Sequence, residues 1–206
     1  MVQPVITCYS CTTASTGYTA AINSSTKFEQ RYGYFEWSAQ IPHDTVGEGD
    51  GLHPDIYVRP YGENWQDPTC QHHGEIDVAE EDVGTGNQTY IYNYSNEGSC
   101  GGFVANAYPS SLPGGQTLGN SFHTYGLYWQ NDGSAHGAVR VYFDGGVATS
   151  PFWLNNTGWD NGIFFIISMD PCVTSAFGGG NVCTANTSNN NPFMVQYMRA
   201  WQLEPN

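Results

Sequence analysis

Apolar and polar positions in this chain alternate with a period of two. No stretch carries the 3.6-residue period of an amphipathic helix. Arg140 between Val139 and Val141 is the plainest case, the alternation of a half-buried strand. The alternating segments are short, aromatic and β-branched, and Gly, Pro and Asn punctuate them. They predict strands over 17–23, 32–41, 51–59, 74–80, 89–94, 123–130, 139–143, 162–169 and 193–203. Asp144-Gly145 supplies a tight hairpin turn after 139–143. Many short strands in one chain of this size specify a sandwich or a barrel. Tracts rich in Gly, Asn, Ser and Thr at 98–116 and 178–191 read as long surface loops, not linkers. The expectation is therefore one domain over 1–206, with 1–16 showing too little pattern to place.

Composition narrows the partners. The 206 residues suffice for a sizeable core. Lys+Arg is 5 against Asp+Glu 19, a net charge of -14. Phosphate binding needs a basic patch, so the charge argues against a nucleic-acid partner, and equally against anionic lipid surfaces and highly sulfated polymers. Charged residues are only 12% and aromatics 15%, so this is no disordered acidic chain. No apolar run is long enough to span a membrane as a helix. Met1-Val2-Gln3-Pro4 does not read as a signal peptide, so the chain is expected to be a mature or excised form.

Cys8, Cys11, Cys70, Cys100, Cys172 and Cys183 make an even set. With few lysines and abundant Asn, Thr, Ser and Gly, they point to secretion. Cys172–Cys183 would close a short Gly-rich loop, Cys70–Cys100 would brace the segment between them, and Cys8–Cys11 would form a tight ring. The alternative for Cys8-x-x-Cys11 is a redox or zinc half-site, but no second such pair is present. The sequons at Asn23, Asn87, Asn93, Asn155 and Asn186 add little in so Asn-rich a chain.

Gly74-Glu75-Ile76-Asp77-Val78-Ala79-Glu80-Glu81 carries the candidate chemistry. On a strand, Glu75 and Asp77 share a face. Glu80 lies five residues from Glu75, so a regular strand would turn it to the other face. One extra residue, a β-bulge at Val78-Ala79, returns it. Three acids then line one surface, and crowded like charges favour the protonated form of one of them. Retaining glycoside hydrolysis needs this: an ionised carboxylate nucleophile and a protonated carboxyl about 5–5.5 Å apart. Along a flat strand the outer Cα atoms stand roughly 13 Å apart. A concave sheet and long Glu side chains must close that gap, which a jelly-roll sandwich supplies. The competing reading is a calcium-binding or merely solvated acidic strand and loop. Glu81 and Asp82 are expected to be solvated.

Among the aromatics, Trp37 and Trp201 are expected in core or edge packing. Trp65, Trp129, Trp153 and Trp159 are the cleft candidates, Trp65 and Trp159 because they lie beside turns. His72-His73 read as loop residues bordering the cleft, since adjacent strand positions face opposite ways. No Gly-x-Ser-x-Gly elbow supports Ser-His-Asp chemistry, and His123 reads as part of a strand. No phosphate loop or dinucleotide fingerprint is present.

Glu-Ile-Asp-x-x-Glu resembles the signature of glycoside hydrolase family 16, in the bulged form of its laminarinase-like members. The flanks resemble the family in order. They are Tyr32-Gly33-Tyr34-Phe35-Glu36, Gly51-Leu52-His53-Pro54-Asp55-Ile56-Tyr57, Phe122 to Trp129, Val141 to Gly145, and Val195 to Gln202. The resemblance runs from about Tyr18 to Leu203. It implies a two-sheet, concanavalin-like jelly roll with a concave substrate cleft. It implies Glu75 as nucleophile, Glu80 as general acid/base, and Asp77 hydrogen-bonded to the nucleophile.

The departures fall in the cleft. His53 and Tyr57 stand where the family has Trp, and Asp55 where it has Ala, with Arg59 following on the same face. Asn93 or Tyr94 lies where a His is frequent on the strand after the acids. Gln196 replaces an Asp that is often a calcium ligand, so no metal ligands are assigned, structural calcium is doubtful and no cofactor is required. The expected protein is a secreted, monomeric endo-β-glycosidase acting on a β-1,3- or mixed β-1,3/1,4-glucan. Agarose-type galactan and transglycosylation are the alternatives within the fold. A lectin-like module that binds glycan without cleaving it is the rival from another class.

Overall fold

The structure is a computed structural model and describes residues 20–41, 52–62, 69, 74–81, 90–96, 102–107, 119, 121–171 and 193–202. The described strands are β1 (Ala20–Asn23), β2 (Gly33–Gln40), β3 (Leu52–Pro60), β4 (Glu75–Glu81), β5 (Tyr90–Asn96) and β6 (Gly102–Ala107). They continue with β7 (His123–Gln130), β8 (Ala138–Phe143), β9 (Gly146–Val147), β10 (Phe152–Trp153), β11 (Ile163–Pro171) and β12 (Met194–Trp201). A 3-10 turn over Thr157–Asn161 is capped by Asn156, whose side chain accepts from the Gly158 backbone N–H.

The strands form two antiparallel sheets. The first runs β1-β11-β3-β4-β5-β6 and the second β10-β8-β7-β2-β12, with β9 beside β8. The protein is an all-β jelly-roll sandwich, one of the two architectures its alternation allows and the one the family resemblance implies. Inward residues of both sheets share one core. Phe35, Trp37, Tyr125, Leu127, Trp129 and Val141 of the second sheet meet Ile56, Val58, Ile76, Val78, Phe165 and Ile167 of the first. Phe165 reaches across to both Phe35 and Trp37, each at 5.5 Å between ring centroids and edge-on. Aromatic residues of this size carry a large share of the apolar burial that drives such a sandwich together.

One element corrects the expectation of a loop over 98–116. β6 lies inside that tract and pairs with β5. Its apolar Phe103 and Val104 are adjacent and its other residues are Gly, Ala and Asn, so no alternation marks it. Long-range pairing makes the strand instead. The cysteines, residues 1–16, Trp65, His72-His73, Asp82 and the tract at 178–191 lie outside the described residues.

Candidate active site

β4 carries the bulge where the acid spacing requires it. Against β5, Asp77 is opposite Asn93 and Glu80 opposite Ile91, so three steps on β4 match two on its partner. Against β3, Tyr57 is opposite Asp77 and Ile56 opposite Ala79, again one residue extra on β4. Burial shows the effect on the side chains. Ile76, Val78 and Ala79 all enter the core. Two consecutive inward residues, Val78 and Ala79, hand Glu80 back to the face of Glu75 and Asp77. Asp77 is 2% exposed and the Glu75 side chain 12%, so both carboxyls stand in poorly hydrated surroundings.

β3 supplies the facing row. Pro54, Ile56 and Val58 are buried, and Asp55, Tyr57 and Arg59 point the other way. Asp55 is 7% exposed and sits opposite Glu80 in the register. Tyr57 and Val58 pair with Asp77 and Ile76, so Arg59 falls beside Glu75. Arg59 Nε donates to Glu75 Oε2 at 2.8 Å, and a terminal nitrogen of Arg59 donates to the same oxygen. The guanidinium also stands 5.2 Å from the Tyr57 ring centroid. Burial, and then the negative charge of Asp55, push the Tyr57 phenol well above its ordinary range, so it stays a neutral donor.

Trp159 fixes where β4 begins. It is fully buried in the 3-10 turn, and a Cβ at Gly74 would lie 2.5 Å from its ring. Only glycine fits immediately before Glu75. The expectation that Trp159 and Trp129 line the cleft is therefore corrected. Trp129 is 1% exposed and takes an inward position on β7, its Nε1 donating to the His136 carbonyl at 2.9 Å. Trp159 packs beneath the backbone that carries the acids. Neither presents a ring face to a sugar.

The remaining candidates divide. Tyr57 is half-buried on the acid face. β3 places His53 opposite Asp170, and β5 places Asn93 opposite Asp77. Trp37 is fully buried, as expected, and Trp201 lies on the edge strand β12, 45% exposed. Trp153 lies on β10 of the other sheet, away from the acids. The partnership of Arg59 with Glu75 is the feature that sequence reasoning missed. The Gln196 side-chain oxygen accepts from Ser38 Oγ at 3.0 Å.

Comparison with known proteins bears on the family and the fold. The model of a family described as glycosyl hydrolases family 16 matches residues 7–149. A glucan endo-1,3-beta-glucosidase A1 from Niallia circulans is 27% identical over 202 residues, covering 88% of this chain and 26% of that protein. The chain thus spans about a quarter of the length of that relative. The laminarinase catalytic domain of Thermotoga maritima superposes with a TM-score of 0.66 at 20% identity, over 90% of this chain and 69% of that one. The endo-1,3-beta-glucanase of Streptomyces sioyaensis gives 0.67 at 21% identity, over 87% and 68%. At such identities the structural likeness establishes the fold.

Proposed function

This chain belongs to glycosyl hydrolases family 16, and on that premise we propose that it is a secreted, retaining endo-β-glycosidase. Its proposed substrate is a β-1,3- or mixed β-1,3/1,4-glucan. The observation that carries this reading is the bulge at Val78-Ala79, which gathers Glu75, Asp77 and Glu80 on one face. The relative from Niallia circulans and the two laminarinase-type structures support the choice of glucan.

Glu75 attacks the anomeric carbon as a carboxylate while the glycosidic bond breaks. Glu80 gives its proton to the leaving oxygen. The glycosyl ester on Glu75 is then hydrolysed by water that Glu80 deprotonates, which restores both groups. Asp77, buried between them, orients the nucleophile. An uncharged polymer suits a protein of charge -14.

Product release from laminarin and barley β-glucan, with Glu75→Gln as control, tests the proposal. A folded wild type that frees no reducing ends from either would contradict it. The binding-module reading draws on one observation, the altered β3 row of His53, Asp55 and Tyr57. It predicts glucan affinity without products.

A further inference from the structure

The outer face of the second sheet, on the far side of the core from the acids, carries its own row of rings. The register aligns Trp201 with Tyr34, Tyr34 with Tyr128, and Tyr128 with Arg140 across four strands. Each is an outward position, flanked in sequence by buried residues on β2, β7 and β8. At about 4.8 Å per strand the row spans about 14 Å. Trp201 and Tyr34 touch at 5.6 Å between centroids. Tyr34 lies over Gly126, where a Cβ would meet its hydroxyl at 2.4 Å.

The row leads into a pocket of about 110 Å³ walled by Tyr128, Gln130, Asp132, Arg140 and Trp153. Trp153 is 54% exposed, yet its ring is held, because Nε1 donates to Asp132 Oδ2 at 2.8 Å. Asp132 is held in turn by the Ser134 backbone N–H at 3.0 Å and by the Ser134 hydroxyl. A ring fixed in this way loses little freedom when a ligand stacks on it. The face is also neutral. Its strands present Arg140 and Arg199 against Glu36, with Asp132 at the rim, on a chain whose net charge is -14.

We propose that this face is a second carbohydrate-binding surface, which takes an uncharged β-glucan chain laid across the strands with one pyranose against Trp153. The apolar face of a pyranose stacks on an indole, and its equatorial hydroxyls meet Arg140, Gln130 and Asp132 at the rim. Local neutrality suits an uncharged polymer and no polyanion. The choice of glucan rests on the function proposed above.

The test is affinity electrophoresis through laminarin or barley β-glucan, with Glu75→Gln as the parent so that no substrate is consumed. Adding Trp153→Ala should weaken retardation about fivefold, the order of one lost aromatic contact. Trp153→Phe should restore most of it, and a thermal midpoint equal to the parent's shows that the fold is intact. Equal retardation of the parent and the Trp153→Ala variant, or no retardation of the parent by either glucan, overturns the proposal. Product release by wild type reports on the acid face alone. An inert wild type with Trp153-dependent retardation would sink the hydrolytic reading and keep this one.

Discussion

Arg59 on β3 and Glu75 on β4 are cross-strand partners, and two guanidinium nitrogens converge on the single oxygen Oε2. A cation in contact favours the ionised form of a carboxyl. Glu75 is faced by Arg59 and the neutral Tyr57 from β3, by Asp77 and Glu80 from its own strand, and by Ser95 from β5 in the register. Arg59 is thus the one cation set against the acids among the described residues of these strands. It holds Oε2 in place.

Replacing Arg59 by Met removes that charge at similar length. On the proposed mechanism Glu75 must then lose its proton without help, so the acid limb of kcat/KM should move to higher pH. A shift of about one unit corresponds to about 1.4 kcal/mol and a tenfold loss on the acid side. Arg59→Lys should keep most of the wild-type profile. A purely structural role would lower the thermal midpoint and leave the limb where it was.

The bulge makes a sharper mechanical prediction. Inserting one alanine between Ala79 and Glu80 shifts Glu80 by a single position on β4. Its carboxyl then turns into the core. Burying it there without a partner costs on the order of 3 kcal/mol. Activity should vanish and the denaturant midpoint should fall, as measured by product release and urea unfolding. An insertion variant with wild-type turnover would mean that the bulge does not present Glu80.

Tyr34 links the second sheet to alkaline stability. Burial and the charge of Glu36 raise its phenol from 10.0 to about 12. The folded state therefore holds that proton more tightly than the unfolded chain, and unfolding releases it. Stability should fall as pH rises from about 10 to about 12. Tyr34→Phe should flatten that part of a urea-midpoint profile. An unchanged slope would show that Tyr34 titrates alike in both states.

The acids and the sandwich were legible in the sequence because both are local. A five-residue spacing between Glu75 and Glu80 demands one extra residue, and alternation marks most strands directly. The pairing of Arg59 with Glu75 was not legible, because it depends on which residues of two distant segments stand opposite. Trp129 and Trp159 misled for a related reason. A tryptophan near a turn suits a cleft as well as a core until the inward face of its element is known. The acid site is held from beneath by Trp159 against Gly74, a contact with no sequence signature beyond the glycine itself.

Product release from laminarin by wild type, Glu75→Gln and Glu80→Gln, each on polymer and on an aryl glycoside with a good leaving group, tests the central claim most directly. Glu75→Gln should be inert on both substrates. Glu80→Gln should fail on polymer and retain the first step on the aryl glycoside, which needs no acid. Substantial turnover by Glu75→Gln, or equal losses on both substrates for Glu80→Gln, would contradict the roles given to the two glutamates.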